Sequence, residues 1–308
     1  ISENKIHMLI ECFECPYKGS RILQNDPDPI VNMLKHFIIF ADRDSCCFSF
    51  SLGYIRDLLN DKLPGVYIKS IRIGSNEVED VKNSYFGNIN DQIKQVCKEL
   101  EMDDKLQNGY NAIGFSQGAQ FLRAVAQRCP TPPMLNYISL GGQHQGVYGL
   151  PNCASLHHAM CDYIRRMLNY GAYYRIIQEK LIQAGYWHDP LQEADYKQYS
   201  LFLADINNEL NINETYRSNL KKLQSLVLVK FDSDTMVQPI ESEWFGFYKP
   251  GQSKEVESLQ ESSLYREDRL GLKEMDMLGK IHFLSTKGNH LQFTDTWFIQ
   301  NIVEEYLI

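Results

Sequence analysis

One serine in this 308-residue chain lies between two glycines at the spacing of a nucleophile on a strand-to-helix turn. The segment Gly114-Phe115-Ser116-Gln117-Gly118 follows an apolar run and precedes apolar positions at helical spacing. Small residues two before and two after a serine permit a sharp turn that raises the hydroxyl beside the first helix amides. Such amides stabilise oxyanions, so Ser116 is predicted to be a nucleophile. The alternative is a serine that only caps the helix.

A serine hydroxyl needs a base, and a histidine near the C-terminus is the favoured candidate. His290 lies in a glycine-containing loop between the last predicted strand and the last predicted helix. His282 lies inside that strand and is predicted to pack there or on the sheet surface. The remaining histidines after the nucleophile are His144, His157, His158 and His188, of which the middle two are predicted to be solvated or structural.

Two aspartates compete for the acid that orients the histidine. Asp232 and Asp234 directly follow the apolar run 226–231, and both satisfy the order serine, acid, histidine. Asp234 is preferred because it lies further out along the loop, whereas Asp232 is equally well explained as a turn cap. The three residue types in this order predict nucleophilic acyl transfer.

The elements that must position these residues alternate along most of the chain. Short runs rich in Val, Ile, Phe and Tyr are separated by helical patterns, which predicts a mostly parallel sheet with helices on both faces, the α/β class. The predicted strands are 36–41, 66–74, 110–116, 135–141, 225–231 and 280–286, and the predicted helices among the early ones are 48–61, 88–104 and 117–129.

The alternation stops between residues 142 and 222. Helical patterns near 156–170 and 173–185 predict a helical insertion at about 143–223, beside the strand ends where ligands bind in such folds. Residues 1–35 show little pattern and are predicted to be an N-terminal segment of uncertain order. One α/β domain is predicted to span 36–308.

Composition excludes several classes of protein. The 31 basic and 39 acidic residues give a net charge of −8, which is not the charge of a nucleic-acid-binding or anionic-membrane-binding surface. No apolar run approaches the ~18 residues of a membrane span. The chain is therefore predicted to be soluble, with no nucleic-acid partner.

Cysteines and one glycosylation triplet carry weaker signals. The eight cysteines permit disulfides but do not require them, and Asn213-Glu214-Thr215 slightly favours secretion. Cys12 and Cys15 have the spacing of a redox motif, but they lack a βαβ context and a second cysteine pair for zinc, so no metal site is predicted. The cysteines are at positions 12, 15, 46, 47, 97, 129, 153 and 161.

Several long strings resemble the palmitoyl-protein thioesterase family, and within it the lysosomal type 1 members. The likeness runs from about Asp44 to the C-terminus. It is carried by residues 109–153, GYNAIGFSQGAQFLRAVAQRCPTPPMLNYISLGGQHQGVYGLPNC, and by YWHDP at 186–190, FLADIN at 202–207, SEWFGFY at 242–248 and residues 264–276. The resemblance implies an α/β-hydrolase fold and an enzyme that removes palmitate from cysteine thioesters in the lysosome and that is also secreted.

The resemblance also assigns residues. The family's nucleophile falls on Ser116, its acid on Asp234 and its histidine on His290, and no metal or cofactor is implied. Its glycosylation site falls on Asn213. Its expected substrates are S-palmitoylated proteins or peptides and long-chain acyl thioesters. Its disulfides fall on Cys46–Cys47, Cys97–Cys129 and Cys153–Cys161, whereas Cys12 and Cys15 have no counterpart.

One loop departs from the family. Where members resemble Trp-His-Gly-Met-Gly, this chain has Ile39-Phe40-Ala41-Asp42-Arg43. By alignment the two oxyanion donors are the backbone amides of Gln117 and Asp42. Two lost glycines and a carboxylate beside a developing oxyanion are unfavourable. Either the enzyme is impaired, or the first 43 residues of the sequence are incorrect and are joined to a correct remainder.

Two other functions compete with this reading. One is an ester, acyl-CoA or lipid hydrolase of different substrate choice. The other is a non-catalytic lipid-binding relative, which only the departure at 40–43 favours, because a binding module does not require serine, aspartate and histidine together.

Overall fold

The computed structural model describes residues 36–40, 52–149, 167–168 and 171–308, with only the backbone described at 36–40, 52 and 77. Six parallel strands form the central sheet: β1 (His36–Phe40), β2 (Tyr67–Ser70), β3 (Tyr110–Phe115), β4 (Met134–Leu140), β5 (Ser225–Phe231) and β8 (Ile281–Thr286). Their spatial order is β2-β1-β3-β4-β5-β8. Two further strands, β6 (Phe247–Tyr248) and β7 (Val256–Glu257), pair antiparallel outside this sheet.

Helices connect these strands and cover both faces of the sheet. Four of them, α1 to α4, precede β4, and the helices that follow it are shorter. The first four are α1 (Leu52–Lys62), α2 (Glu77–Asn83), α3 (Ile89–Glu101) and α4 (Gln117–Arg128). The later ones are Arg175–Gln178, Ile182–Gly185, Glu193–Tyr199, Leu203–Ile206, Glu214–Leu220, Ser263–Arg266, Leu272–Met277, Asp295–Phe298 and Glu304–Tyr306. The described residues also include two 3-10 helices, Asp104–Leu106 and Ile240–Trp244, and a π-helix, Ile299–Val303.

The inner strands β3, β4 and β5 are mostly apolar because they are covered on both faces of the sheet. Alternate residues of β5 enter two different cores: Leu226 and Leu228 pack with α3 and α4, whereas Val227 and Val229 pack with α1 and the C-terminal helices. A parallel strand covered on both sides is expected to show this near-continuous apolar run. The architecture therefore confirms the predicted α/β class.

Two local predictions were wrong. The predicted strand 66–74 is shorter in the structure and ends at Ser70. Among the described residues, β2 lies at the sheet edge and pairs only with β1. Helix α2 follows β2 and was not predicted. The predicted helix 173–185 is two short helices, because the chain between them pairs with a neighbouring loop. The Gly87 amide donates to the Lys180 carbonyl at 3.0 Å, and Ile182 donates to the Tyr85 carbonyl at 2.9 Å.

A disulfide links the two helices that flank the β3 strand. Cys97 of α3 is bonded to Cys129, the residue that ends α4, with 5.8 Å between their Cα atoms. This pairing confirms the one inferred from the resemblance. The partners Cys46–Cys47 and Cys153–Cys161, together with Cys12 and Cys15, lie outside the described residues.

Removing this disulfide should destabilise the fold. It closes a loop with a sequence separation of 32 residues, and such links commonly contribute about 2–4 kcal/mol by restricting the unfolded chain. The double variant Cys97→Ser/Cys129→Ser is expected to lose about that much free energy of unfolding in urea titrations. An unfolding midpoint equal to that of the wild type would contradict the expectation.

Candidate active site

The proposed nucleophile lies on a strained turn between β3 and α4. Ser116 has φ 52° and ψ −124°, a backbone conformation that non-glycine residues rarely adopt and that clusters at functional sites. Its amide donates to the Leu140 carbonyl at 2.8 Å, which ties the turn to the end of β4. Its side chain makes no capping hydrogen bond to α4. The geometry is therefore that of a raised serine and not that of a helix cap.

The turn requires glycine at position 114. A Cβ atom there would lie 2.4 Å from the Cα of Ala119 and 2.8 Å from its amide nitrogen. A Cβ atom essentially never comes this close to a non-bonded atom, so any side chain would push α4 away from β3. This contact is the physical reason for the first glycine of the Gly-Phe-Ser-Gln-Gly segment.

The structure brings His290 to the serine hydroxyl. The His290 Nε2 atom is 2.8 Å from the Ser116 Oγ, although 174 residues separate them in sequence. The ring fits there because Gly141, at the end of β4, has no side chain. A Cβ at Gly141 would lie 3.1 Å from the His290 Cε1. The histidine side chain is only 14% exposed.

The other nitrogen of the same ring meets Asp234. Its Nδ1 is hydrogen-bonded to the Asp234 Oδ2, and the Asp234 Oδ1 accepts the amides of Met236 at 2.6 Å and Val237 at 2.9 Å. Burial alone would raise the pKa of Asp234, but the hydrogen bonds from its neighbours outweigh that effect and leave the pKa below its ordinary value. Asp234 is thus held as a carboxylate behind the histidine.

The competing candidates lie elsewhere. Asp232 is exposed, and its carboxylate faces the Lys230 ammonium at 4.0 Å rather than His290. His282 is half-buried in β8, where its ring packs edge-on against Tyr306, as a packing role requires. His157 and His158 lie outside the described residues.

A second serine–histidine contact exists in the core. The Ser139 Oγ lies 2.8 Å from the His144 Nε2, but both residues are fully buried and the ring stacks on Phe245 at 4.4 Å. No acid meets the His144 Nδ1 among the described residues. Burial and the nearby Arg123 charge hold the pKa of His144 well below its ordinary value. This pair lacks both substrate access and an orienting acid.

One residue that the sequence reasoning missed joins the acid loop to the histidine loop. The Asn289 Oδ1 accepts the Thr235 amide at 2.9 Å, the Thr235 hydroxyl at 3.0 Å and the His290 amide at 2.7 Å. The loops are also linked by the Ser233 amide, which donates to the Gly288 carbonyl at 3.0 Å. The only signal in the sequence was the position of Asn289 beside His290.

A second missed residue is a buried acid. Glu243 is fully buried in the 3-10 helix Ile240–Trp244, and its Oε2 accepts the Phe231 amide at 2.8 Å. Its carboxyl group lies with Asp234 and His290 in a group whose three nearest ligand-type atoms are within 4.8 Å of one another. Within the described ranges this is the one such group that could hold a metal ion. His290 and Asp234 are hydrogen-bonded to each other, and the Oε2 of Glu243 is hydrogen-bonded to the Phe231 amide. These contacts account for the arrangement of the three side chains. Nothing in the sequence distinguished Glu243 from a surface acid.

The two proposed oxyanion donors differ in what the structure describes. Gln117 is the first residue of α4, where backbone amides lack acceptors within the helix. Asp42 lies outside the described residues, as do Ala41 and Arg43. The amide of Gln117 is therefore the donor whose place in the fold is described.

The glycosylation triplet lies at the surface on a helix N-terminus. Asn213 is exposed and caps the helix Glu214–Leu220 through its Oδ1, which accepts the amides of Thr215 at 3.0 Å and Tyr216 at 3.3 Å. The cap uses the oxygen of the amide and not Nδ2, the atom that carries an N-linked glycan. Capping and glycosylation are therefore compatible at this residue.

No helix within the described ranges is long and apolar enough to cross a membrane.

Comparison with known proteins bears on the family. The family model described as palmitoyl protein thioesterase matches residues 37–290. The chain is 48% identical over 265 residues to palmitoyl-protein thioesterase 1 of Caenorhabditis elegans, covering 86% of this chain and 89% of that protein. It is 36% identical over 241 residues to palmitoyl-protein thioesterase 3 of Dictyostelium discoideum, covering 78% and 80%. It is 30% identical over 210 residues to lysosomal thioesterase PPT2-B of Xenopus laevis, covering 65% and 69%. With a parallel α/β sheet and Ser116 on the strained turn between β3 and α4, the chain belongs to the palmitoyl protein thioesterase family.

Proposed function

We propose that this protein is a serine thioesterase that removes palmitate and similar long acyl chains from cysteine thioesters of lipidated proteins. The observation that carries the proposal is the line of hydrogen bonds from Ser116 through His290 to Asp234. Such a line is the arrangement of acyl transfer by an activated serine. The thioester bond and the long acyl chain of the substrate are inferred from membership of the palmitoyl protein thioesterase family.

The first half of the reaction transfers the acyl group to the enzyme. His290 accepts the Ser116 proton at Nε2 while the serine Oγ bonds to the thioester carbonyl carbon. The tetrahedral intermediate then expels the cysteine sulfur, which takes the proton from His290 and leaves as a thiol. Asp234 keeps the other ring nitrogen protonated and stabilises the imidazolium that forms between these steps.

The second half releases the fatty acid. Water gives a proton to His290 and attacks the acyl-serine ester. The second intermediate breaks its bond to the Ser116 Oγ, which recovers the proton. In both halves we propose that the amide of Gln117 and a second amide, that of Asp42, stabilise the oxyanion. No metal ion or cofactor takes part in these steps.

The acyl chain needs an apolar groove near the carboxyl edge of the sheet. We place this groove between that edge and the insertion at about 143–223, which leaves the sheet after β4 and returns at β5. Buried residues of the described part of this stretch, such as Leu203 and Ile206, pack in the same apolar core as α4 and β4. The expected macromolecular substrates are S-palmitoylated proteins or peptides.

The site of action follows from the family members. The Xenopus laevis relative is named a lysosomal thioesterase, so we propose the lysosome for this protein, with secretion in addition. Asn213 is proposed as a glycosylation site, and the capping geometry described above leaves its Nδ2 available. Both features are those of a protein made in the secretory pathway.

A comparison of substrates tests the proposal. A palmitoylated cysteine peptide should be hydrolysed faster than the same peptide carrying palmitate on serine, because a thiolate is a weaker base and a better leaving group than an alkoxide. Palmitoyl-CoA and a lipid ester should be assayed beside them. Hydrolysis of the oxygen esters alone would contradict the thioesterase assignment. Tight binding of palmitate without turnover of any substrate would favour a lipid-binding relative instead.

A further inference from the structure

Two buried carboxyl groups lie next to each other behind the proposed catalytic histidine. The side chain of Asp234 is 0% exposed, and Glu243 is also 0% exposed. Both belong to the group whose ligand-type atoms are within 4.8 Å of one another. Two carboxylates that close together and away from water repel strongly, so the pair holds one proton.

The hydrogen bonds decide which of the two carries the proton. Among the described residues, Asp234 accepts three hydrogen bonds, from the amides of Met236 and Val237 and from the His290 ring. In the same part of the chain Glu243 accepts one, from the Phe231 amide to its Oε2. The charge is better stabilised where more donors meet it, so it lies on Asp234 and the proton lies on Glu243.

The second oxygen of Glu243 agrees with this assignment. Its Oε1 is buried and, among the described residues, accepts no hydrogen bond from any donor. A buried carboxylate oxygen without a donor is costly, whereas a protonated oxygen is itself a donor. The Asp234 carboxylate, with an oxygen within 4.8 Å of the Glu243 carboxyl group, is the acceptor for such a donor. A proton on Oε1 therefore satisfies both groups at once.

We infer that Glu243 is a positioning residue: as a neutral carboxylic acid it donates a hydrogen bond to Asp234 and holds that carboxylate against His290. This inference rests on the proposed function, because the reaction it serves is the acyl transfer at Ser116. It adds a fourth side chain, from the helix Ile240–Trp244, to the line of hydrogen bonds.

The charged groups around Glu243 support the neutral state. Burial, followed by the hydrogen bond and the charge of Asp234, raises the pKa of Glu243 to about 10. Lys230 acts in the opposite direction. Its ammonium lies over the Trp244 ring at 4.3 Å and faces Asp232 at 4.0 Å. Among the described residues, the charges of Asp234 and Lys230 act on Glu243, and the His290 ring lies in the same group of ligand-type atoms.

Three variants separate positioning from simple packing. Glu243→Gln keeps an oxygen for the Phe231 amide and an N–H donor for Asp234. Glu243→Leu keeps the approximate size and removes both hydrogen bonds. Glu241→Gln makes the same chemical change two residues away on the same helix, at a half-buried residue, and is the matched control.

The kinetic expectations follow from these hydrogen bonds. Glu243→Gln should keep kcat within about 3-fold of the wild type. Glu243→Leu should lower kcat by about 10- to 100-fold with little change in KM, because Asp234 no longer holds the histidine in place. Without the donor, Asp234 binds a proton at higher pH. The acid limb of the pH–rate profile of Glu243→Leu should therefore move to higher pH, while those of Glu243→Gln and Glu241→Gln stay in place.

Two readouts do not depend on turnover. Wild-type protein at neutral pH should show the infrared carbonyl band of a buried protonated carboxylic acid, and Glu243→Gln should lack it. The folded pKa of Glu243 is raised from 4.5 to about 10, so its contribution to stability is complete below pH 4.5 and is lost as pH rises toward 10. Glu243→Gln should lose this decline in the free energy of unfolding, and Glu241→Gln should retain it.

Three results would overturn the inference. The first is an acid limb of Glu243→Gln that moves to lower pH, which would mean that an ionised Glu243 had been removed. The second is equal loss of kcat in folded Glu243→Gln and Glu243→Leu. The third is absence of the infrared band in the wild type. If Glu243→Leu does not fold, the pH–rate profile of Glu243→Gln and the infrared carbonyl band of the wild type still test the inference. Wild-type protein that fails to hydrolyse the thioester but shows the band would refute the proposed function and leave the neutral Glu243 intact.

Discussion

Ser116→Ala is expected to lower thioesterase kcat by about 10⁵- to 10⁶-fold and to leave the fold intact. The hydroxyl is the atom that bonds to the acyl carbon, and no neighbour can replace it. Alanine has the same Cβ as serine, so the crowded turn against α4 is unchanged. The measurement is turnover of a palmitoylated peptide, together with covalent labelling by a fluorophosphonate and the thermal unfolding midpoint.

The matched control is Ser139→Ala, which removes the other serine that contacts a histidine. Ser139 is fully buried and its partner His144 meets no acid among the described residues, so this variant should still be labelled. Persistent labelling of Ser116→Ala at another serine would refute the assignment of the nucleophile. Loss of labelling in a folded Ser139→Ala variant would indicate that the buried pair Ser139 and His144, and not Ser116, carries the nucleophile.

Much of the fold could be predicted because its pattern is local. Strand β5 was predicted with its observed bounds, since its four central residues, 226–229, form an apolar run that is covered on both faces. Helix α2 was not predicted. It begins at the Asn76 cap, whose side chain accepts the Glu79 amide, and the chain on either side offers little apolar periodicity. Pairing of residues 85–87 with 180–182 likewise depends on contacts nearly 100 residues apart, which no local pattern contains.

The proposed site divides in the same way. Ser116 could be identified from the flanking glycines, because the close approach of Ala119 to Gly114 leaves no room for a side chain at position 114. His290 and Asp234 required the order of the chain and the resemblance, since local context alone left Asp232 open. Asn289 and Glu243 could not be found, because their roles arise only when three separate loops meet. Buried polar networks of this kind have no spacing rule in the sequence.

Asp234→Asn should lower kcat by roughly 10⁴-fold, the size of effect expected when a catalytic histidine is left in the wrong tautomer. The asparagine oxygen can still accept the amides of Met236 and Val237, so its NH₂ group would face the His290 Nδ1. That nitrogen must then accept a hydrogen bond, which places the ring proton on Nε2, the atom that should receive the proton of Ser116.

The matched control for this variant is Asp232→Asn, the same chemical change two residues earlier on the same loop. Asp232 is exposed and faces Lys230, so the substitution should change kcat by less than about 2-fold, the small effect usual for a surface site. Turnover of the palmitoylated peptide and the rate of fluorophosphonate labelling measure both variants. A large loss in Asp232→Asn with near-normal rates in Asp234→Asn would reverse the assignment of the acid. Equal losses in two folded variants would mean that the loop as a whole, and not the hydrogen bond to His290, sets the rate.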